Sequence, residues 1–177
     1  YGNIGRAIAK RAKAFDMKVM ALTRTPRALD PKPDFLGGYD ALPQVLGAVD
    51  FFIICCPLTD DTRGMIGAAE LAAMQPSAVV INVARGHIAD ESALYHALRD
   101  GVIAGGILDT WYHYPTADDP NIRPSRQPFH ELENVLMTPH ISGWSEGQQI
   151  RRWEKTGDNL EALLTGGDLI NVIRPSR

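Results

Sequence analysis

The sequence predicts an α/β fold built on a doubly wound parallel sheet. Three observations predict it. Strand-like and helix-like segments alternate along all 177 residues. The strand-like segments are continuous apolar runs, FFIICC at 51–56 and SAVVINVA at 77–84, the pattern of strands covered on both faces. Two glycines three apart, Gly2 and Gly5, stand where the first helical pattern begins, as in a turn that presents backbone N–H groups to a phosphate.

Each element has its own signal. A helix is predicted from about 3 to 15, with Ile4, Ala7, Ile8 and Ala12 on one stripe. MKVMALT at 17–23 reads as a strand, and GYDALPQVLGAVD at 38–50 holds a short helix ending near Gly47. The run at 51–56 is a strand stopped by Pro57. AAELAAMQ at 68–75 is helical, and the β-branched run 77–84 is a strand between Pro76 and Gly86. Asp90 reads as an N-cap, followed by a buried stripe of Leu94, Ala97 and Leu98 and a stop at Gly101. VIAGGILD at 102–109 is a strand whose paired glycines permit close backbone approach. A Pro- and Asp-rich loop covers 115–128, NVLMT at 134–138 is a last short strand, and a long helix from about 145 to 164 ends at Gly166 and Gly167.

Composition narrows the function. A formal net charge of -3 argues against a nucleic-acid partner, which wants a basic face. The apolar runs are too short to span a bilayer. Cys55 and Cys56 are adjacent in an apolar run, which is neither a metal-ligand spacing nor a disulfide framework. Reduced, buried thiols and a cytoplasmic location are expected, with no metal.

Ligands of a doubly wound sheet sit at the carboxyl ends of its strands, so the residues after each strand are the ones placed to carry chemistry. Gly2, Asn3, Ile4 and Gly5 could hold a pyrophosphate, although two such glycines also make a plain tight turn. After the next strand come Thr23 and Arg24, with Arg27 nearby. No acid is there to accept ribose hydroxyls, and a guanidinium could pair with a 2′-phosphate. NADP is therefore favoured over NAD, unless the arginines are only solvated charges. The remaining strands lead into CCPLTDDT, NVARG, LDTWYHYP and TPHISGW. An Arg, an Asp and a His at three strand ends form the constellation that hydride transfer on a 2-oxo acid needs. The Arg clamps the carboxylate and polarises the carbonyl, and the His exchanges a proton with the alcohol oxygen.

From Gly2 to the closing helix, these motifs in this order resemble the Rossmann-type cofactor domain of the D-isomer-specific 2-hydroxyacid dehydrogenases. The resemblance implies Arg85 in NVARG as the catalytic arginine and His140 in TPHISG as the catalytic histidine. It implies Asp109 as the acid beside the nicotinamide. Cys56, Pro57 and Thr62 would line the dinucleotide, and Val83 and Ala84 would pass their backbone beside the nicotinamide. Ser142 and Gly143 complete the matched histidine motif. It further implies a small 2-oxo or 2-hydroxy acid as substrate and a homodimer. The domain would span 1–143, and residues 144–177 would return to a substrate domain.

Two departures stand out. Most of the family carries a glutamate before the proline that follows the aspartate, where it stabilises the imidazolium. This chain has Tyr114 at that catalytic position. Either the tyrosine is a neutral hydrogen-bond partner for His140, or the reaction differs, as in formate dehydrogenases with their neutral glutamine, or Tyr114 turns away and Asp118 or Asp119 substitutes. Reduction is expected to be lost at a lower pH than in members with the glutamate. Trp111, Tyr112, Tyr114 and Trp144 suggest a ring-lined pocket for a larger substituent, against core packing as the alternative. A dinucleotide-sensing corepressor is the alternative to an enzyme. The second departure is at the start. Tyr1 matches the x between the first two glycines of G-x-G-x-x-G, so the sequence reads as a part of a longer chain without its central first strand, expected to be unstable and inactive alone.

Overall fold

A computed structural model describes residues 1–25 and 30–172. Arg27, singled out above beside Arg24, lies outside the described residues. The chain divides into two compact units, 1–142 and 143–177, one residue earlier than the boundary read from the sequence.

The first unit is a parallel α/β structure. Its strands are β1 (Met20–Leu22), β2 (Phe35–Gly37), β3 (Phe51–Ile54), β4 (Val79–Asn82), β5 (Gly105–Leu108) and β6 (Val135–Met137). They pair in two sheets, β1-β2 and β3-β4-β5-β6, all parallel. Helices α1 (Asn3–Ala14), α2 (Leu42–Leu46), α3 (Ala68–Ala72) and α4 (Glu91–Arg99) connect or precede them. Parallel strands require such crossovers, and Phe52, Ile54, Val80 and Asn82 of β3 and β4 are buried.

Between β1 and β3 lies a slot of about 700 Å³, lined by Ile8, Ala9, Ala21, Leu22, Phe52 and Ile54 among others. In a doubly wound sheet of order 3-2-1-4-5-6 the central strand occupies this place. The chain's first amine donates to the Leu22 carbonyl at 2.9 Å, at the carboxyl end of β1.

The main core belongs to the four-stranded sheet. Ile54, Ile66, Leu71, Val80, Ile88, Leu94, Leu98, Ile103, Leu108 and Phe129 pack in one cluster. Helix α4 starts as expected: the Asp90 carboxylate accepts from the Ala93 amide at 2.8 Å, and Leu94, Ala97 and Leu98 are buried. Gly101, at φ +68°, turns the chain where an L side chain would be strained. Gly106 lets β5 approach that helix, since a Cβ there would stand 3.2 Å from Leu98.

The differences from the sequence reading have local causes. The strands are shorter than their apolar runs, because the run continues into the loops that carry the site. β2 had no periodic signal: three residues between Pro33 and the Gly37-Gly38 pair are too few to show one. In α1 the inward stripe is rotated. Ile4 and Ala7 are exposed, while Gly5, Ile8, Ala9 and Ala12 face the slot. The close approach at Gly5, whose Cβ would lie 3.3 Å from the Cys55 sulfur, sets that rotation.

The second unit carries α5 (Gln148–Thr165), bracketed by Gly147 and Gly166, both left-handed. Trp153, Leu163 and Leu164 are exposed on it. The Asn159 side chain receives the Ile170 amide at 2.8 Å and donates to its carbonyl, which folds the tail back on the helix. Among the described residues no helix is long and apolar enough to cross a membrane.

Candidate active site

Parallel strands bring their carboxyl ends to one edge, and the residues inspected above follow them there. Arg85 stands three residues beyond β4 and His140 three beyond β6, with β5 between them. Two strand spacings separate the parent strands, about 10 Å. Both side chains are exposed.

The Arg85 turn is built by Asn82, which is 1% exposed. Its amide donates to the Arg85 carbonyl at 3.0 Å, and its oxygen accepts from the Ala84 N–H at 3.0 Å and the Thr110 hydroxyl at 3.2 Å. Val83 and Ala84 form the segment so fixed, with Val83 half-buried and Ala84 buried. Gly86 then packs on the next loop: a Cβ there would lie 2.6 Å from the Trp111 carbonyl carbon and oxygen. No substitution fits without moving backbone.

Asp109 follows β5 and is 2% exposed. It accepts from the Thr138 hydroxyl at 2.6 Å, the Ile141 amide at 2.9 Å, the Ser142 amide at 3.0 Å and the Ser142 hydroxyl. These donors flank His140, whose φ is +57°, a left-handed conformation that a non-glycine residue keeps only when its surroundings hold it. Burial pushes the Asp109 carboxyl up, but the bonds from Ser142, Thr138 and the two amides outweigh it and hold it at about 2. The carboxylate is thus an anion with its main acceptor sites occupied by the histidine loop.

Tyr114 lies against His140, ring centroids 5.5 Å apart and planes at 48°. Its hydroxyl accepts from the Trp111 amide at 2.9 Å. Of the three alternatives for Tyr114, the hydrogen bond from tyrosine to imidazole is not formed here: the ring, not the hydroxyl, meets His140. Asp118 and Asp119 are exposed, and the Asp119 backbone amide donates to the Thr116 hydroxyl at 3.0 Å. Among the described residues no ion pair includes His140.

The ring-lined pocket is also corrected. Trp111 and Tyr112 are buried, at 6% and 8% exposure. Trp111 packs edge-on to Phe129, and its indole N–H donates to the Thr138 carbonyl at 2.9 Å. Tyr112 has its hydroxyl buried without a partner, and burial with the charges of Glu91 and Asp90 pushes its ionisation up. These rings are core. Trp144 belongs to the second unit and is exposed, as is Gly143.

The other candidate residues fall around the same edge. Gly2 caps α1 with no side-chain hydrogen bond, and the first amide to find a helical partner is that of Arg6. The amides of Asn3, Ile4 and Gly5 thus remain at a helix N-terminus, next to a Gly2 with open space beside it. That geometry fits a pyrophosphate. Thr23 and the exposed Arg24 follow β1. After β3, Cys55 and Cys56 are half-buried free thiols, both pushed up by burial. Thr62 is 2% exposed; its hydroxyl donates to the Pro57 carbonyl at 2.8 Å and accepts from the Thr59 amide at 2.8 Å. It closes the Pro57 loop from inside, and Pro57 itself is exposed.

Two residues here, Asn82 and Gly86, escaped the sequence reading of the site, and Trp111 entered it only as a pocket ring. Asn82 had a signal, a polar residue inside a β-branched run. Gly86 had only its place after Arg85. The double anchorage of Trp111 had none.

Residues 1–142 match the family profile described as the D-isomer specific 2-hydroxyacid dehydrogenase, NAD binding domain. The glyoxylate reductase of Pyrococcus furiosus is 39% identical over 167 residues, which cover 94% of this chain and 47% of that protein. The glycerate dehydrogenase of Methylorubrum extorquens is also 39% identical over 167 residues, covering 94% and 48%. The crystal structure of a D-isomer specific 2-hydroxyacid dehydrogenase from Xanthobacter autotrophicus Py2, in complex with NADPH and MES, superposes with a TM-score of 0.83 at 31% identity, covering 98% of this chain and 68% of that one. The chain spans about half the length of the curated relatives it matches. It belongs to the D-isomer specific 2-hydroxyacid dehydrogenase family, and its first 142 residues are that family's NAD-binding domain.

Proposed function

We propose that the protein reduces a small 2-oxo acid to the D-2-hydroxy acid, or runs the reverse oxidation, with glyoxylate and hydroxypyruvate as the first substrates to try. The observation that carries this reading is the placement of Arg85 and His140 at one carboxyl edge, two strands apart and with Asp109 between them. The relatives named as glyoxylate reductases support the substrate class.

Each residue has a task. Asn3, Ile4 and Gly5 offer amides to the cofactor's pyrophosphate. Arg24 faces the adenosine ribose, and a cation where the sequence after β1 carries no acid before Asp30 supports NADP over NAD. Cys56, Pro57, Val83 and Ala84 border the dinucleotide. A bound nicotinamide supplies the hydride. Arg85 binds the substrate carboxylate and polarises the carbonyl. His140 gives its proton to the carbonyl oxygen during reduction and takes it back during oxidation. Asp109 holds the histidine loop in the conformation that permits this. The same reading gives 144–177 to a substrate domain and the whole protein to a homodimer in the cytoplasm.

The test is direct. The full-length protein is mixed with NADPH or NADH and a panel of 2-oxo acids, and the absorbance of the reduced cofactor is followed. Turnover of a small 2-oxo acid, faster with NADPH, is expected. No turnover with any of them overturns the activity, and a strong preference for NADH overturns the role of Arg24.

A further inference from the structure

We infer that Tyr114 is a positioning residue that orients the His140 imidazole through its ring, so that the histidine works without a carboxylate partner. This rests on the proposed role of His140 in proton transfer. Three observations carry it. The ring of Tyr114 lies against the imidazole at 5.5 Å. Its hydroxyl accepts from the Trp111 amide, and it is the ring that meets the histidine. Trp111 is itself anchored on the other side, to the Thr138 carbonyl two residues before His140. The support and the supported residue therefore hang from the same tryptophan, Tyr114 from its backbone N–H and the histidine loop from its indole.

The charged groups around the histidine loop agree. Asp109, at the end of β5, spends its carboxylate on Thr138, Ile141 and Ser142. Asp118 and Asp119, in the loop beyond Tyr114, are exposed, and among the described residues neither makes an ion pair. The Tyr114 ring stands beside the imidazole, tilted at 48° to it, as a neutral neighbour. The ring can hold the imidazole in place while leaving both nitrogens to substrate and solvent.

Three variants of the full-length protein test the inference. Tyr114→Phe keeps the ring and loses only the bond to Trp111; it is expected to stay within about threefold of the parent in kcat. Tyr114→Leu removes the aromatic face and is expected to lower kcat by about 10- to 100-fold, with KM for the 2-oxo acid changed far less. Tyr114→Glu places an anion beside the imidazole and is expected to carry reduction to higher pH. A proton NMR spectrum adds a readout that needs no turnover. The His140 ring resonance carries a ring-current shift from Tyr114 in the parent and the Phe variant, and loses it in the Leu variant. A Leu variant with parental kcat, a Phe variant as damaged as Leu, an unmoved pH profile in the Glu variant, or a His140 resonance unchanged in the Leu variant overturns the inference. If the parent turns over no 2-oxo acid, the activity fails, and the resonance still decides whether the ring holds the histidine.

Discussion

Asp109 shows how one side chain can set the geometry of another without bonding to it: its carboxylate accepts from Thr138, Ile141 and Ser142, within two residues of His140 on either side. A strand-end aspartate was legible in the sequence. Its partners were not, because they lie 29 to 33 residues away and nothing local announces them. The bonds stabilise the ionised carboxylate, so its folded value, about 2, lies below its ordinary 3.8. The sign follows from that depression. The contribution is complete above about pH 4, where the unfolded group is also ionised, and is lost as pH falls through about 2. The Ile141 and Ser142 amide proton resonances report it directly. They are expected to titrate together with a midpoint near pH 2; a midpoint near 4 would mean that the bonds do not form in solution.

At the level of elements, the carboxyl end of β4 is where regular structure becomes site. The strand itself was legible, because Val79, Val80 and Ile81 are β-branched and apolar. The turn after it was not, because its shape depends on Asn82 reaching forward to Ala84 and Arg85 and across to Thr110. Replacing Asn82 with Ala removes all three bonds and leaves the buried Ala84 N–H without a partner. Unpaired buried groups of this kind cost about 1–3 kcal/mol each. Asn82→Ala is therefore expected to destabilise the first unit by on the order of 3 kcal/mol, read as a lower urea midpoint with an unchanged slope. A midpoint within experimental error of the parent would show that Asn82 is not what holds the turn. The aromatic cluster failed in the opposite way. Trp111 and Tyr112 looked like pocket rings because they follow a strand. Their burial is decided by Phe129, Tyr95 and His87, which come from other elements.

Across the whole molecule, the parallel sheet converts distance in sequence into proximity at one edge. Arg85 and His140 are 55 positions apart in the chain by their numbering, yet their strands are separated only by β5. That much followed from the alternation of elements, since every parallel strand must end on the same side. The spacing across the edge did not, because strand order is set by which crossovers pack and not by the strands' own residues. If the two side chains act on one substrate, their losses cannot add. Arg85→Ala removes the clamp, and the carbonyl no longer rests at the imidazole. His140→Asn removes the proton donor, and a well-placed carbonyl gains little. Each single variant is expected to lower kcat/KM by about 10²- to 10⁴-fold, and the double variant by little more than the worse single one, as for groups that act as a unit. A double variant whose loss equals the product of the two single losses would mean that the residues serve separate steps, and the shared edge would then be a consequence of the fold alone.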